Sequence, residues 1–218
     1  MKIGIIGAGN IGATLTRRFT ALGHEVAVAN SRGPETLADL ARETGATAVT
    51  PAEAAKGAEV VIVTIPEKAI PALPVGILDG AVAGAPIVDT GNYYPARDGR
   101  IEPIENGTTE SRWVSERLGH PVVKAFNNIQ AQHLLELGKP AGAAGRIALP
   151  VAGDDPTTKH IVMGLVDELG FDPVDAGSID ESWRQQPGTP VYAADLDAAG
   201  VTKALAEASA ERPAGFRA

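Results

Sequence analysis

The first 45 residues alternate between short apolar runs and stretches in which apolar side chains recur at helical spacing. Residues 2–6 (KIGII) form an apolar run, and the helical spacing covers 11–22. A second run covers 25–30 (EVAVAN), and the helical pattern after it stops at Gly45. The pattern therefore predicts a strand, a glycine-rich turn and a helix, followed by a second strand and helix.

Three later runs are apolar on consecutive positions rather than on alternate ones: 59–66, 86–91 and 121–127. Strands that carry helices on both faces of a parallel sheet have this composition. Helical patterns separate or follow these runs, including 110–118 and a helix that starts at Pro156. The alternation predicts an α/β protein with a doubly wound, mostly parallel sheet, the Rossmann fold.

The pattern changes after Gly177. Residues 178–190 (SIDESWRQQPGTP) have no clear period, and the Ala-rich remainder to Ala218 favours helix. We therefore expect two parts. Residues 1–177 form a Rossmann domain with extra C-terminal strands, and residues 178–218 form a small helical lobe for substrate binding or dimerisation.

Charge and residue content narrow the function class. The formal net charge is -8 in 218 residues, which argues against nucleic acid as a partner, because binding to its phosphate backbone needs a basic face. The chain has no cysteine and four widely spaced histidines, so thiolate chemistry is excluded and no metal site is expected. No run approaches the roughly 18 apolar residues of a membrane span. We expect a soluble, cytoplasmic protein that acts on a small molecule.

Residues 7–12 (GAGNIG) match the pattern GxGxxG directly after the first predicted strand and at the start of the first predicted helix. In that context Gly7 makes the tight turn, Gly9 lets the backbone approach a pyrophosphate, and Gly12 packs the helix against the strand. The free amides at the helix N-terminus attract the phosphates. We therefore predict a dinucleotide site that includes Gly7, Gly9, Asn10, Ile11 and Gly12.

The end of the second predicted strand lacks the acid that NAD-binding sheets place about 20 residues after the glycine turn. Asn30, Ser31 and Arg32 occupy this position. A serine hydroxyl and an arginine guanidinium donate hydrogen bonds to a 2′-phosphate, which a carboxylate would repel. The loop therefore predicts NADPH as the cofactor, and Arg32 alone would favour it over NADH by about 10-fold to 100-fold. The alternative is an exposed arginine that binds nothing at a helix start.

Ligands of open parallel sheets lie outside the carboxyl ends of the strands, which selects three further segments. Thr64, Ile65 and Pro66 follow the third long strand and would line the path of the ribose and nicotinamide. The candidates for the nicotinamide end follow the next two strands: Asn92, Tyr93, Tyr94, Asn127 and Asn128. For each of these residues the alternative is a loop side chain that caps a helix or packs.

Hydride transfer between two stacked planar rings needs donor and acceptor carbons about 3–3.5 Å apart and little acid–base chemistry. The absence of an obvious catalytic dyad fits such a reaction, so we expect Asn92, Tyr93 and Asn127 to serve catalysis by positioning only. His133 suits a solvated helix position better than a proton step. Lys124, inside a predicted strand, is expected to point across the sheet rather than into the site.

Three segments resemble the coenzyme F420-dependent NADP reductase family: MKIGIIGAGNIGATLTRRFTALGHEVAVANSRGPETL, VVKAFNNIQAQHL and ALPVAGDDPTTKHIVMGLVDELGFDPVDAG. The resemblance extends from Met1 to about Gly177. It implies hydride exchange between NADP(H) and an 8-hydroxy-5-deazaflavin, with Ser31 and Arg32 at the family's 2′-phosphate pair, and it implies a homodimer. A flavin or a ferric chelate is an alternative second substrate.

Two other functions fit the same nucleotide site. One is an NADPH-dependent imine reductase resembling pyrroline-5-carboxylate reductase, although those enzymes continue with a long helical domain and only about 40 residues follow Gly177 here. The other is a non-catalytic NADPH-binding sensor, since no residue is uniquely catalytic. A sensor can cover the reactive face of the nicotinamide, whereas a reductase must leave that face open.

Overall fold

The apolar runs of the sequence pair side by side in one sheet. The computed structural model describes residues 1–218 and contains eight strands: β1 (Lys2–Ile6), β2 (Glu25–Ala29), β3 (Thr47–Ala48), β4 (Val60–Val63), β5 (Ile87–Asp89), β6 (Val122–Lys124), β7 (Ala148–Val151) and β8 (Asp172–Asp175). The first six form a sheet in the order β3-β2-β1-β4-β5-β6, and every neighbouring pair is parallel. The predicted doubly wound parallel sheet is confirmed.

Helices connect successive strands, as the alternating pattern predicts. The α-helices are α1 (Asn10–Ala21), α2 (Ala38–Thr44), α3 (Pro51–Ala55), α4 (Pro95–Asp98), α5 (Glu102–Glu105), α6 (Glu110–Leu118), α7 (Ala131–Glu136), α8 (Pro156–Glu168) and α9 (Ala198–Glu207). Four short 3-10 helices cover Pro34–Leu37, Glu67–Ala72, Ile179–Gln185 and Ala214–Phe216. None of the helices combines the length and the apolar character that crossing a lipid bilayer requires.

Both faces of the sheet are covered, because its central strands are apolar on successive positions. Ile3 and Ile5 of β1 belong to the core that α1, α7 and α8 complete, whereas Ile6 belongs to the core on the other face, with Trp113 of α6. The helices leave the carboxyl ends of the strands at one edge, where the connecting loops meet. Rossmann folds bind their ligands at this edge.

The chain after α7 adds a smaller layer. β7 and β8 pair in parallel, and an antiparallel bridge between Lys124 and Ala152 joins β7 to β6. α9 packs on β7 and β8 through Val201 and Leu205. The expectation that the Ala-rich remainder is helical to Ala218 is wrong outside α9 and the 3-10 helix Ala214–Phe216. Before α9, Ala193 and Asp195 have left-handed φ angles, and after it a proline interrupts the last ten residues.

Candidate functional site

The three glycines of the turn after β1 have three different surroundings. A Cβ on Gly7, which has φ +115°, would lie 2.2 Å from the carbonyl oxygen of Thr64. A Cβ on Gly12 would lie 1.9 Å from the carbonyl oxygen of Gly7. A Cβ on Gly9 would have nothing within 4 Å, so the space beside this backbone is open. Gly7 and Gly12 are therefore required by packing, whereas nothing inside the protein requires Gly9.

The N-terminus of α1 faces this open space without a cap. No side chain caps the helix at Gly9, and its first turn contains no acid. Because the first amides of a helix have no intrahelical partner and lie at the positive end of its dipole, this end suits an anion. Asn10 is exposed here, while the Ile11 side chain packs against the core and Gly12 is buried.

The loop after β2 is organised by Asn30. Its Oδ1 accepts the backbone N–H of Arg32 at 2.9 Å, and its Nδ2 donates to Thr36 Oγ1 at 2.9 Å. Ser31 and Arg32 are exposed on this turn, and the guanidinium of Arg32 has no hydrogen bond or ion pair within the chain. The loop therefore presents a serine hydroxyl and an uncommitted cation on a backbone that Asn30 holds in place.

One cavity, of about 390 Å³, joins the glycine turn to this loop. Eight of the predicted cofactor residues line it: Gly7, Gly9, Asn30, Ser31, Arg32, Thr64, Ile65 and Pro66. The other lining residues were not predicted, and they are Ile6, Ala8, Pro51, Ala69, Ala72 and Leu73. They are apolar, and two of them, Ala69 and Ala72, belong to the 3-10 helix Glu67–Ala72, which is too short for the sequence pattern to show. The lining contains no Asp or Glu.

Asn92 and Asn127, which follow β5 and β6, bind each other. Asn127 Nδ2 donates to Asn92 Oδ1 at 3.0 Å, and Asn92 Nδ2 donates to the Asn127 carbonyl at 2.8 Å. Gln185 completes the network: its carbonyl accepts from Asn127 Nδ2 at 2.7 Å, and its Nε2 donates to Asn127 Oδ1 at 2.9 Å. The structure thus brings the two predicted asparagines together and adds a glutamine from a segment without sequence periodicity.

The two asparagines differ in what they leave for a ligand. Asn127 is 4% exposed and uses both of its amide hydrogens within the chain. Asn92 is half-buried and keeps one amide hydrogen and one oxygen lone pair free. Phe126, next to Asn127, adopts a left-handed φ of 60°, which costs energy for a bulky residue and persists only where the surroundings enforce it. Asn127 therefore orients Asn92, and Asn92 is the group that can touch a ligand.

The expectation that Tyr93 positions substrate is corrected by its burial. The Tyr93 ring is 0% exposed and packs in the core, and its hydroxyl donates to the Gly99 carbonyl at 2.9 Å. The neighbouring Tyr94 is half-buried, and its hydroxyl makes a short contact with the hydroxyl of Tyr192. Burial, followed by the hydrogen bond from Tyr192, raises the pKa of Tyr94 above its ordinary value. Of the two tyrosines, Tyr94 is the one near a surface.

Buried charges lie beneath Gly91, the residue before Asn92. Lys124 reaches across from β6 to the end of β5, as expected. Its Nζ lies 2.5 Å from the Gly91 carbonyl oxygen, a contact that the sequence does not predict. Asp89 Oδ2 lies 3.2 Å from the same Nζ, and Glu110 Oε2 lies 4.0 Å away. Arg212 donates to Glu110 Oε1 at 2.8 Å. The sequence pattern gave no indication of this cluster, because its members come from four distant segments.

His133 on α7 lies near the same edge of the sheet. Its Nδ1 is 2.5 Å from Asp195 Oδ2, and Asp195 adopts a left-handed φ of 48°. The preceding Ala193 donates its backbone N–H to the Asn128 carbonyl at 2.8 Å. These contacts tie the segment before α9 to the loop after β6, and the structure shows no direct contact of His133 with Asn92 or Asn127.

Comparisons with known proteins agree with this architecture. The family model described as "NADP oxidoreductase coenzyme F420-dependent" matches residues 2–93. The structure of the hypothetical protein SMa0349 from Sinorhizobium meliloti is 35% identical, with a TM-score of 0.74 over 90% of this chain and 95% of that one. A putative F420-dependent NADP reductase from Arthrobacter sp. FB24 is 27% identical, with a TM-score of 0.68 over 84% of this chain and 87% of that one.

A curated relative covers a shorter stretch. Putative protein YjhV of Escherichia coli (strain K12) is 54% identical over 66 residues, which are 30% of this chain. The chain spans 48% of the length of that relative.

The fold and these matches define the class as a Rossmann-fold NADP oxidoreductase. The chain belongs to the coenzyme F420-dependent NADP oxidoreductase family. The resemblance drawn from the sequence is therefore confirmed, and the expected enzyme class is confirmed at the level of the family.

Proposed function

We propose that this protein is an NADPH-dependent oxidoreductase that transfers a hydride between NADP(H) and a second planar redox substrate. The observation that carries the proposal is the uncommitted guanidinium of Arg32, which lines the same cavity as the open space beside Gly9. Because no carboxylate lines this cavity, a 2′-phosphate beside Ser31 and Arg32 would meet hydrogen-bond donors without a like charge.

Each end of the cofactor has residues that fit it. The pyrophosphate would lie beside Gly9 and the free amides at the start of α1. Thr64, Ile65 and Pro66 would line the path to the nicotinamide, and Asn92 would offer its free amide hydrogen at the nicotinamide end. Asn127 would take part by orienting Asn92. Tyr93 has no role in this proposal, because it is fully buried.

The reaction places few demands on the side chains. Bound NADPH supplies a hydride from its nicotinamide ring. The chain has to hold that ring against the second substrate at close approach, and positioning of this kind accounts for much of an enzyme's rate enhancement. Asn92 is suited to this task because its side chain and its carbonyl are both held, the carbonyl by the Arg97 guanidinium at 2.6 Å. We assign no general acid or base.

The second substrate is proposed from the family. The match to the coenzyme F420-dependent family and the similarity to the putative F420-dependent NADP reductase of Arthrobacter sp. FB24 support the deazaflavin coenzyme F420. A flavin and a ferric chelate are the other acceptors to test. We also propose that the protein is a cytoplasmic homodimer. In each protomer, residues 1–177 would form the Rossmann domain and residues 178–218 a lobe on the side of the second substrate. The hydrogen bonds between Gln185 and Asn127 support the position of this lobe beside the proposed nicotinamide end.

The proposal is tested by following NADPH oxidation with coenzyme F420, riboflavin phosphate, a ferric chelate and a cyclic imine in separate assays. We expect oxidation with at least one of the first three and no oxidation by Gly9→Val. Oxidation with the imine alone would favour an imine reductase instead. Tight NADPH binding without oxidation by any acceptor would contradict the proposal and favour a sensor.

A further inference from the structure

Lys124 is a fully buried lysine close to the proposed nicotinamide end. Its side chain is 0% exposed, and Nζ donates to the Gly91 carbonyl at 2.5 Å and to Asp89 Oδ2 at 3.2 Å. Burying an ammonium is costly unless it is paired and hydrogen-bonded. Desolvation disfavours the charged form, but the carboxylates of Asp89 and Glu110 outweigh it and raise the pKa of Lys124 above its ordinary value. The lysine is therefore charged in the folded protein.

Both backbone groups of Gly91 are held by this cluster. The N–H donates to Asp89 Oδ1 at 2.8 Å, and the carbonyl accepts from Lys124. A Cβ at this position would lie 2.5 Å from Glu67 Oε1 and 3.0 Å from Asp89 Oδ1, so only glycine fits against the carboxylates. The peptide before Gly91 is consequently held through its N–H, and the peptide that leads into Asn92 is held through its carbonyl by Lys124.

We infer that Lys124 is a positioning residue, whose ammonium holds the Gly91 carbonyl and thereby fixes Asn92 at the nicotinamide end of the cofactor site. This inference rests on the proposed function. A hydrophobic side chain would fill the same space in the core with less desolvation cost, and it could not hold a carbonyl oxygen. Of the side-chain contacts of the lysine, the one with the Gly91 carbonyl acts on the peptide that leads directly into Asn92.

The test compares two ligands that differ only at the nicotinamide end. NADPH and 2′-phospho-ADP-ribose are titrated against the native protein and against Lys124→Met, and thermal unfolding is measured for both proteins. We expect Lys124→Met to weaken NADPH binding by about 10-fold and to change binding of 2′-phospho-ADP-ribose by less than about 2-fold. Equal changes for both ligands, or no change for either, would overturn the inference.

A matched control and a second variant complete the test. Lys159 also holds an aspartate and a glycine carbonyl, Asp175 Oδ1 at 2.7 Å and Gly177 O at 3.2 Å, and it neither lines the nucleotide cavity nor hydrogen-bonds Asn92 or Asn127. Lys159→Met should leave both affinities unchanged, and a matching loss of NADPH binding would overturn the inference. If Lys124→Met does not fold, the charge-balanced Lys124→Met/Asp89→Asn variant replaces it. Loss of the fold in both would also overturn the inference, since the lysine would then serve the core rather than the site.

The same titrations separate this inference from the proposed function. Failure of the native protein to bind NADPH would contradict the proposed function itself. If the native protein binds NADPH and Lys124→Met keeps the same preference for NADPH over 2′-phospho-ADP-ribose, only the positioning role of Lys124 is contradicted.

Discussion

The side-chain amide of Asn127 donates to Asn92 Oδ1 at 3.0 Å, while the Asn92 amide donates to the Asn127 carbonyl at 2.8 Å. The pair closes a ring of hydrogen bonds across the ends of β5 and β6. Asn127 is buried and Asn92 is half-buried, so the first residue supports the structure and the second faces the site.

This division predicts different stability losses for the two residues. Asn127→Leu replaces the side-chain amide with an apolar group of nearly the same shape, so Gln185 and Asn92 keep polar groups without partners. We expect the free energy of unfolding to fall by roughly 2–4 kcal/mol. Asn92→Ala should cost less than about 1.5 kcal/mol, because water can replace its partners. Urea unfolding of both variants measures the difference. Equal losses would mean that Asn127 does not organise the pair.

Gly9→Val should separate binding from folding. Gly9 has φ -74° and ψ -163°, which a β-branched residue adopts, and its Cβ would meet nothing within 4 Å. We expect a stability loss of about 1 kcal/mol or less, from the altered helix N-cap, together with loss of NADPH binding because the side chain fills the pyrophosphate space.

Gly164 in α8 provides the matched control, since a Cβ there also meets nothing within 4 Å. Gly164→Ala should stabilise the helix by about 0.5–1 kcal/mol and leave the affinity for NADPH unchanged. Binding that survives in Gly9→Val would place the nucleotide elsewhere.

Glu67 should make stability depend on pH. Both of its carboxylate oxygens are buried without a hydrogen bond, and burial, assisted by the charge on Asp89, raises its pKa well above 4.5. The native protein therefore holds this proton more tightly than the unfolded chain does. The stabilisation of the folded protein by the protonated Glu67 carboxyl is fully present below the unfolded pKa of about 4.5. It is lost as the pH rises towards the native pKa.

Glu67→Gln keeps the neutral form at every pH, so its stability relative to the native protein should rise as the pH is raised above about 4.5 towards the native pKa of Glu67. Chemical denaturation at several pH values measures this trend. Glu116→Gln, at an exposed glutamate, should show no such trend. A Glu67→Gln variant that loses stability with rising pH in parallel with the native protein would show that the Glu67 carboxyl is already ionised at pH 5.

The parts of the structure that the sequence predicts are those that a local pattern determines. The glycine turn, the first two strands and the helix between them follow from spacing over a few residues, so β1, α1 and β2 appear where the pattern predicts them. The loop from Asn30 to Arg32 was identified for the same reason. Each feature depends on neighbouring residues along the chain.

Long-range contacts explain what the sequence did not reveal. Gln185 contacts Asn127 from 58 positions away, and Arg212 contacts Glu110 from 102 positions away. Tyr93 and Tyr94 look equivalent in the sequence, and only the packing of the loop after β5 buries the first and leaves the second half-exposed. The spacing of residues carries no information about such contacts.

The most direct measurement of the central claim is the relative affinity for NADPH and NADH in the native protein and in Arg32→Ala. The guanidinium of Arg32 is exposed and makes no hydrogen bond or ion pair within the chain, so the substitution should leave thermal stability unchanged. We predict that the native protein prefers NADPH and that Arg32→Ala reduces this preference by about 10-fold to 100-fold, through weaker NADPH binding alone. Equal affinities for the two nucleotides in the native protein would contradict the assignment of the loop as a 2′-phosphate site.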